Sequence, residues 1–130
     1  MRRKAFTLVE LMLTVMVIAV LVSIAIPNYI NTVERARARE ARATLESMRA
    51  AEHSYAAERR QFISLTTGGD TAWEAIGLEN PNNNANRSWD YTLSASGANF
   101  SGTASRRSGP YSGETISLDQ DGSETVSSFY

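Results

Sequence analysis

Arg2-Arg3-Lys4-Ala5-Phe6-Thr7-Leu8-Val9-Glu10 opens an apolar tract that continues to Ile26-Pro27. Three cations stand before one small residue, and a single carboxylate, Glu10, interrupts the apolar run. As a helix rising 1.5 Å per residue, residues 6–26 span about 31 Å, the thickness of a bilayer's hydrocarbon core. A carboxylate in such a tract is disfavoured by about 2.5–3.5 kcal/mol at worst, so it needs a partner or a task. No side-chain cation lies between Ala5 and Glu34. Backbone chemistry can supply the missing charge: cutting after Ala5 creates an ammonium on Phe6, one helical turn from Glu10, and removes the basic leader.

A basic leader, a small residue, Phe-Thr-Leu-x-Glu and about twenty apolar residues closing on a proline resemble the type IV pilins and type II secretion pseudopilins. The match is close over residues 2–29 and holds only in outline beyond them. It implies cleavage between Ala5 and Phe6 by a prepilin peptidase that also N-methylates Phe6. It further implies that Glu10 meets the Phe6 amine of a neighbouring copy in a homo-oligomeric filament, with an assembly ATPase and an inner-membrane platform as partners. The subunit is then expected in the inner membrane as a single-pass protein among lipids, and afterwards in a cell-surface filament or a periplasmic pseudopilus. Ala5 stands where the family usually has Gly, so slower processing is expected. A conventional signal peptide cut near Ser23-Ile24-Ala25 and a plain uncleaved anchor are the rival readings; Glu10 argues against the first, and neither explains Phe-Thr-Leu-x-Glu.

The rest of the 130 residues allows one domain besides this segment. There is no Cys, which excludes disulfides and thiolate metal sites. Losing the leader's three cations leaves 10 against 14 acids. The middle of the chain is basic, with seven Arg against five Glu over residues 34–60, and from Gln61 onward three Arg face eight acids. Such a dipolar subunit suits side-by-side packing of offset copies.

Pro27 cannot donate to the Ser23 carbonyl, so a helix kink or an unwound turn is expected there. Residues 28–60 read as an amphipathic helix, in which Ala41, Leu45, Met48 and Tyr55 share a face and the Arg and Glu residues occupy the others. Glu34 with Arg37 and Glu46 with Arg49 are spaced for weak pairing. Joined to the membrane segment, the helix would be about 80 Å long. A dimeric coiled coil is the rival, but no strict heptad is sustained. The lone His53 is read as a packed or solvated residue.

Residues 61–88 read as a connecting loop with little regular structure. Trp73, Ile76 and Leu78 pin it to the head, and Asn80-Pro81-Asn82-Asn83-Asn84 supplies turn chemistry. Asn86-Arg87-Ser88 and Asn99-Phe100-Ser101 fit the glycosylation triplet but are read as turn and strand residues. From Trp89 the period becomes two, with Trp89, Tyr91, Leu93 and Ala95 on one face. Ser96-Gly97 turns into a second strand over residues 98–104, residues 105–113 form a loop with Arg106 and Arg107, and residues 115–118 and 124–128 supply a third and fourth strand. The expected fold is therefore α+β: a long N-terminal helix on a three- to four-stranded antiparallel sheet, divided into leader 1–5, transmembrane and assembly helix 6–27, and head 28–130.

Asp119, Asp121 and Glu124 form the only dense carboxylate cluster. Alternating oxygens followed by Gly122 resemble calcium loops, and the resemblance to major pseudopilins implies calcium near the C-terminal strands; a hairpin turn is the competing reading. No other cofactor is expected. Arg106 and Arg107 could contact DNA, but an acidic head disfavours it. No nucleophile–base pair or phosphate-cradling glycine loop is present, which argues against an enzyme. A structural filament subunit is the leading reading, a secretion pseudopilin the nearest alternative, and a membrane-tethered binding module the alternative of another class.

Overall fold

A computed structural model of the chain describes residues 6–127. The chain divides into two compact units, Met1–Ala36 and Arg37–Tyr130. Helix α1, Leu8–Arg59, contributes to both and is continuous through Pro27, with no unwound turn. The leader, Ala5 included, and the last residue expected of the fourth strand, Ser128, lie outside the described residues.

In the second unit α1 packs on a four-stranded antiparallel sheet in the order β1-β2-β3-β4. The strands are β1 (Trp89–Ser96), β2 (Asn99–Arg106), β3 (Thr115–Asp119) and β4 (Glu124–Val126). Alternation places Trp89, Tyr91 and Leu93 inward on β1 and Phe100, Gly102 and Ala104 inward on β2. Register follows the same alternation: Tyr91 faces Ala104, Leu93 faces Gly102, and Gly102 faces Leu118. Gly97 turns the first hairpin at φ +61, as the first central position of a two-residue loop favours. Gly102 serves a different purpose, since a Cβ there would lie 3.3 Å from Leu45 Cδ2. Its bare backbone lets the helix come close.

The helix face against this sheet is Ala38, Ala41, Leu45 and Met48, all buried, with Ala51 and Tyr55 partly so. Trp89 spans the layer and donates its indole N–H to the Arg37 carbonyl at 3.0 Å. Burying these side chains is the main stabilising term of the head, about 1.5–3 kcal/mol for each large apolar residue.

One residue on that stripe is not apolar. Glu52 follows Met48 by four positions and is fully buried. Its Oε2 accepts the Ile63 amide at 3.0 Å, while Oε1 has no partner. Burial pushes the Glu52 carboxyl above the usual carboxylate range, opposed by the Ile63 N–H and by nearby His53. Residues read as solvated by their charge alone thus include one that holds the chain where it leaves α1.

Residues 61–88 are more ordered than the sequence led us to expect. They contain a one-turn helix α2 (Thr71–Ala75) and a 3-10 turn (Pro81–Asn83), and they close the outer edge of β1. Leu65 exchanges both backbone hydrogen bonds with Leu93, at 2.8 and 2.9 Å. The Asn82 carboxamide does the same for Tyr91, donating to its carbonyl at 2.9 Å and accepting from its amide at 2.8 Å. Ser64 Oγ accepts from the Ala95 amide at 3.0 Å. Trp73 is fully buried beneath this segment and Ile76 nearly so, with Leu78 packed against the core. Side-chain amides standing in for a strand leave no hydrophobic period to read, which is why this region resembled a plain loop.

Two outcomes follow. A chain beginning at Arg37 should melt cooperatively, whereas one beginning at Ser54, stripped of Leu45 and Met48, should show no cooperative transition by circular dichroism. Glu52→Gln should raise the melting temperature at pH 7, by about 4–8 °C for each kcal/mol gained. A raised carboxyl pKa favours folding fully below the ordinary carboxylate value and loses that contribution as pH rises through the folded value. The advantage of Glu52→Gln should therefore close as pH is lowered through the window between the two.

Candidate assembly interface

The N-terminal unit presents bare apolar surface. Every large apolar side chain from Phe6 to Ile30 is exposed, from Val9 at 75% to Ile30 at 43%. The helix is long and apolar enough to cross a membrane. Its hydroxyls do not interrupt this character: Thr14 donates to the Leu11 carbonyl at 2.8 Å and Ser23 to the Val20 carbonyl at 2.7 Å. Both polar groups are satisfied within the helix, as a hydrocarbon surrounding requires.

Glu10 is positioned by a device the motif reading missed. Thr7 is the N-cap of α1, and its Oγ1 accepts the Glu10 amide at 3.2 Å. Thr7-Leu8-Val9-Glu10 is the Thr-x-x-Glu pattern of a capping box, and that spacing was legible in the sequence. Only half of the box is formed. The Glu10 carboxylate makes no hydrogen bond or ion pair among the described residues, so it stays in the first turn, where the helix dipole favours an anion. Phe6, one turn back, is 72% exposed. The structure thus brings Phe6 and Glu10 to one end of the helix with the carboxylate unspent.

These features coincide with what the comparisons find. Residues 1–26 match the prokaryotic N-terminal methylation motif. Over its N-terminal part the chain is similar to type IV pilins. It is 38% identical over 61 residues to the type IV major pilin protein PilA of Myxococcus xanthus, covering 47% of this chain and 28% of that one. It is 33% identical over 72 residues to a fimbrial protein of Pseudomonas aeruginosa, covering 55% of this chain and 47% of that one. The chain therefore spans less than half the length of the curated relatives it matches. No solved structure matches it.

The other sequence-derived sites fare differently. Asp119, Asp121 and Glu124 do not converge. Asp119 Oδ1 accepts the amides of Asp121 at 3.0 Å and Ser123 at 2.8 Å, fixing the β3–β4 turn. Glu124 forms a bidentate pair with Arg42, both of its oxygens lying 2.9 Å from Arg42 Nε. Among the described residues no three carboxylate or histidine groups gather as a metal site would need. Gln120 in the same turn receives Arg49 Nε at 3.1 Å and His53 Nε2 at 3.0 Å on its carbonyl, and the His53 ring packs edge-on against Phe62 and Phe100. The expected pairing of Glu46 with Arg49 is formed at 3.0 Å.

Arg106 corrects the reading of a solvated cationic loop. Strand β2 runs two residues beyond Ala104, because Ser105 pairs with Thr115 and Arg106 exchanges backbone bonds with Glu114 and Gly113. Alternation then turns Arg106 inward, to 3% exposure, with its guanidinium 5.7 Å over the Trp89 ring and 2.7 Å from the Ser88 carbonyl. It is not displayed to a DNA backbone.

With Asp119 spent on amides and Glu124 on Arg42, calcium at about 1 mM, the range of weak extracellular modules, should leave the melting temperature unchanged. A rise of several degrees, abolished by Asp121→Asn, would show instead that the turn rearranges around the ion.

Proposed function

We propose that this chain is the structural subunit of a type IV pilus-like filament. In this reading it is cut between Ala5 and Phe6 and N-methylated on Phe6 by a prepilin peptidase, held in the inner membrane by residues 6–27, and polymerised through that helix. The observation that carries the proposal is the pairing of an unspent Glu10 carboxylate with an apolar helix that its own unit leaves uncovered. A second copy offers what both lack: an amine at its own Phe6 and a matching apolar surface.

The energetics give each partner a place. Helix burial among neighbours replaces lipid by protein, which by itself brings little hydrophobic gain, so specificity falls to the Glu10–amine pair in a low-dielectric setting. Removing one member of such a pair is strongly destabilising because the other charge is left buried alone. Extraction from the bilayer needs work from outside the chain, for which an assembly ATPase and an inner-membrane platform are the partners. No chemistry is asked of the chain itself. Relatives named as a type IV major pilin and a fimbrial protein favour a surface pilus over a secretion pseudopilus.

Mass spectrometry of the mature N-terminal peptide should find N-methylated Phe6 as the first residue. Glu10→Val should be processed and membrane-held yet yield no sheared fibres by electron microscopy. A mature protein starting at Met1 or beyond Ala25, or fibres undiminished in Glu10→Val, would overturn the proposal.

A further inference from the structure

A polar cleft of about 680 Å³ opens in the second unit between α1 and the Asn-rich segment, with Glu40, Thr44, Glu79, Asn86 and Tyr91 in its lining. Most of its polar groups are spent. Arg87 binds Asp90 at 2.7 Å and the Asn84 carbonyl at 3.2 Å. Asn80 and Asn83 donate to Asp70 at 3.0 and 2.9 Å, and these two bonds hold the Asp70 carboxyl below its ordinary range. Tyr91 is buried, and burial, with Glu40 nearby, pushes its phenol up against the opposing pull of a Thr44 hydrogen bond. Two carboxylates are left over. Neither Glu40 nor Glu79 makes an ion pair or hydrogen bond among the described residues, and both are exposed.

An anionic cleft with amide neighbours fits a guanidinium, whose planar fork of donors suits carboxylates and carbonyl oxygens together. The same chain carries unspent guanidinium groups at the far end of α1. Arg59 and Arg60 are exposed and make no ion pair among the described residues. Arg60 also stands at φ +58, the left-handed position after a helix that ordinarily falls to Gly, and its amide reaches the Ala56 carbonyl at 2.8 Å. A long cationic side chain is thus kept where the backbone disfavours one, exposed and with no ion pair among the described residues.

We propose that the cleft receives the Arg59–Arg60 end of α1 from a second copy of this chain, an inference that rests on the filament reading above. Glu40 and Arg59 are 19 residues apart on one helix. At 1.5 Å per residue, parallel copies offset by about 29 Å bring the cations of one level with the cleft of the other. Such a contact, at the rim and partly screened, sets register and partner choice more than gross affinity.

The test uses the full-length chain expressed in a bacterium that carries a prepilin peptidase, an assembly ATPase and an inner-membrane platform. Glu40→Arg with Glu79→Arg, and separately Arg59→Glu with Arg60→Glu, should each lower the yield of sheared fibres about tenfold, and all four together should restore it to within about threefold. Arg60→Gly, which relieves the left-handed strain, should melt no lower than the parent while giving fewer fibres. Because the chain has no native Cys, Glu79→Cys with Arg60→Cys offers a direct readout: oxidised fibres should contain covalent ladders of chains. Fibres that form without ladders, or a fourfold variant no better than either pair, would overturn the inference and leave the filament reading standing. A parent chain that forms no fibres would overturn both.

Discussion

A helix that is greasy on every side cannot end its own exposure. From Phe6 to Ile30 the first unit offers apolar side chains in all directions, and no other part of that unit can cover them. The remaining features answer to this constraint: hydroxyls bonded back to the helix, a proline carried within continuous helix, and one carboxylate that the capping threonine holds at the tip without neutralising it. Lipid satisfies the side chains but not the carboxylate. In the filament reading proposed above, another copy satisfies both.

The second half of the same helix solves the opposite problem. There one face is small and apolar, and the sheet closes over it because Gly102 lets the backbone come within reach of Leu45. Arg42, Arg49 and His53 then fasten the β3–β4 hairpin from the flank of the helix. Much of the charge along α1 is therefore spent holding the head together. Charges outside those contacts, among them Glu40 and Arg59 on α1, Arg60 at its end and Glu79 in the segment that follows, are what the surface can offer to a neighbour.

Buried polar groups distinguish this head from a simple hydrophobic sandwich. Glu52 in the core stripe and the Asn80–Asn82–Tyr91 network each satisfy backbone amides that have no strand to pair with. Their satisfaction fixes a unique arrangement for a segment whose apolar content is low, at the cost of a carboxyl that is strained toward its neutral form.

Read alone, the residues determined a great deal. Local regularities, the length of the apolar tract, the Phe-Thr-Leu-x-Glu spacing, the three- and four-residue steps of Ala41, Leu45 and Met48, and the alternation beginning at Trp89 established the α+β architecture and the nature of the N-terminus, because each is a repeat within a few residues of chain. What only the tertiary structure decided were partners distant in sequence: Glu124 on Arg42, Arg106 on Trp89 rather than in solvent, Asn82 on the edge of β1, and Glu52 inside the core. A charged or amide side chain has the same pattern in sequence whether it faces water or a buried backbone group. Its role is set by which desolvated donor or acceptor the fold brings within about 3 Å, and that distance is a property of the packed chain.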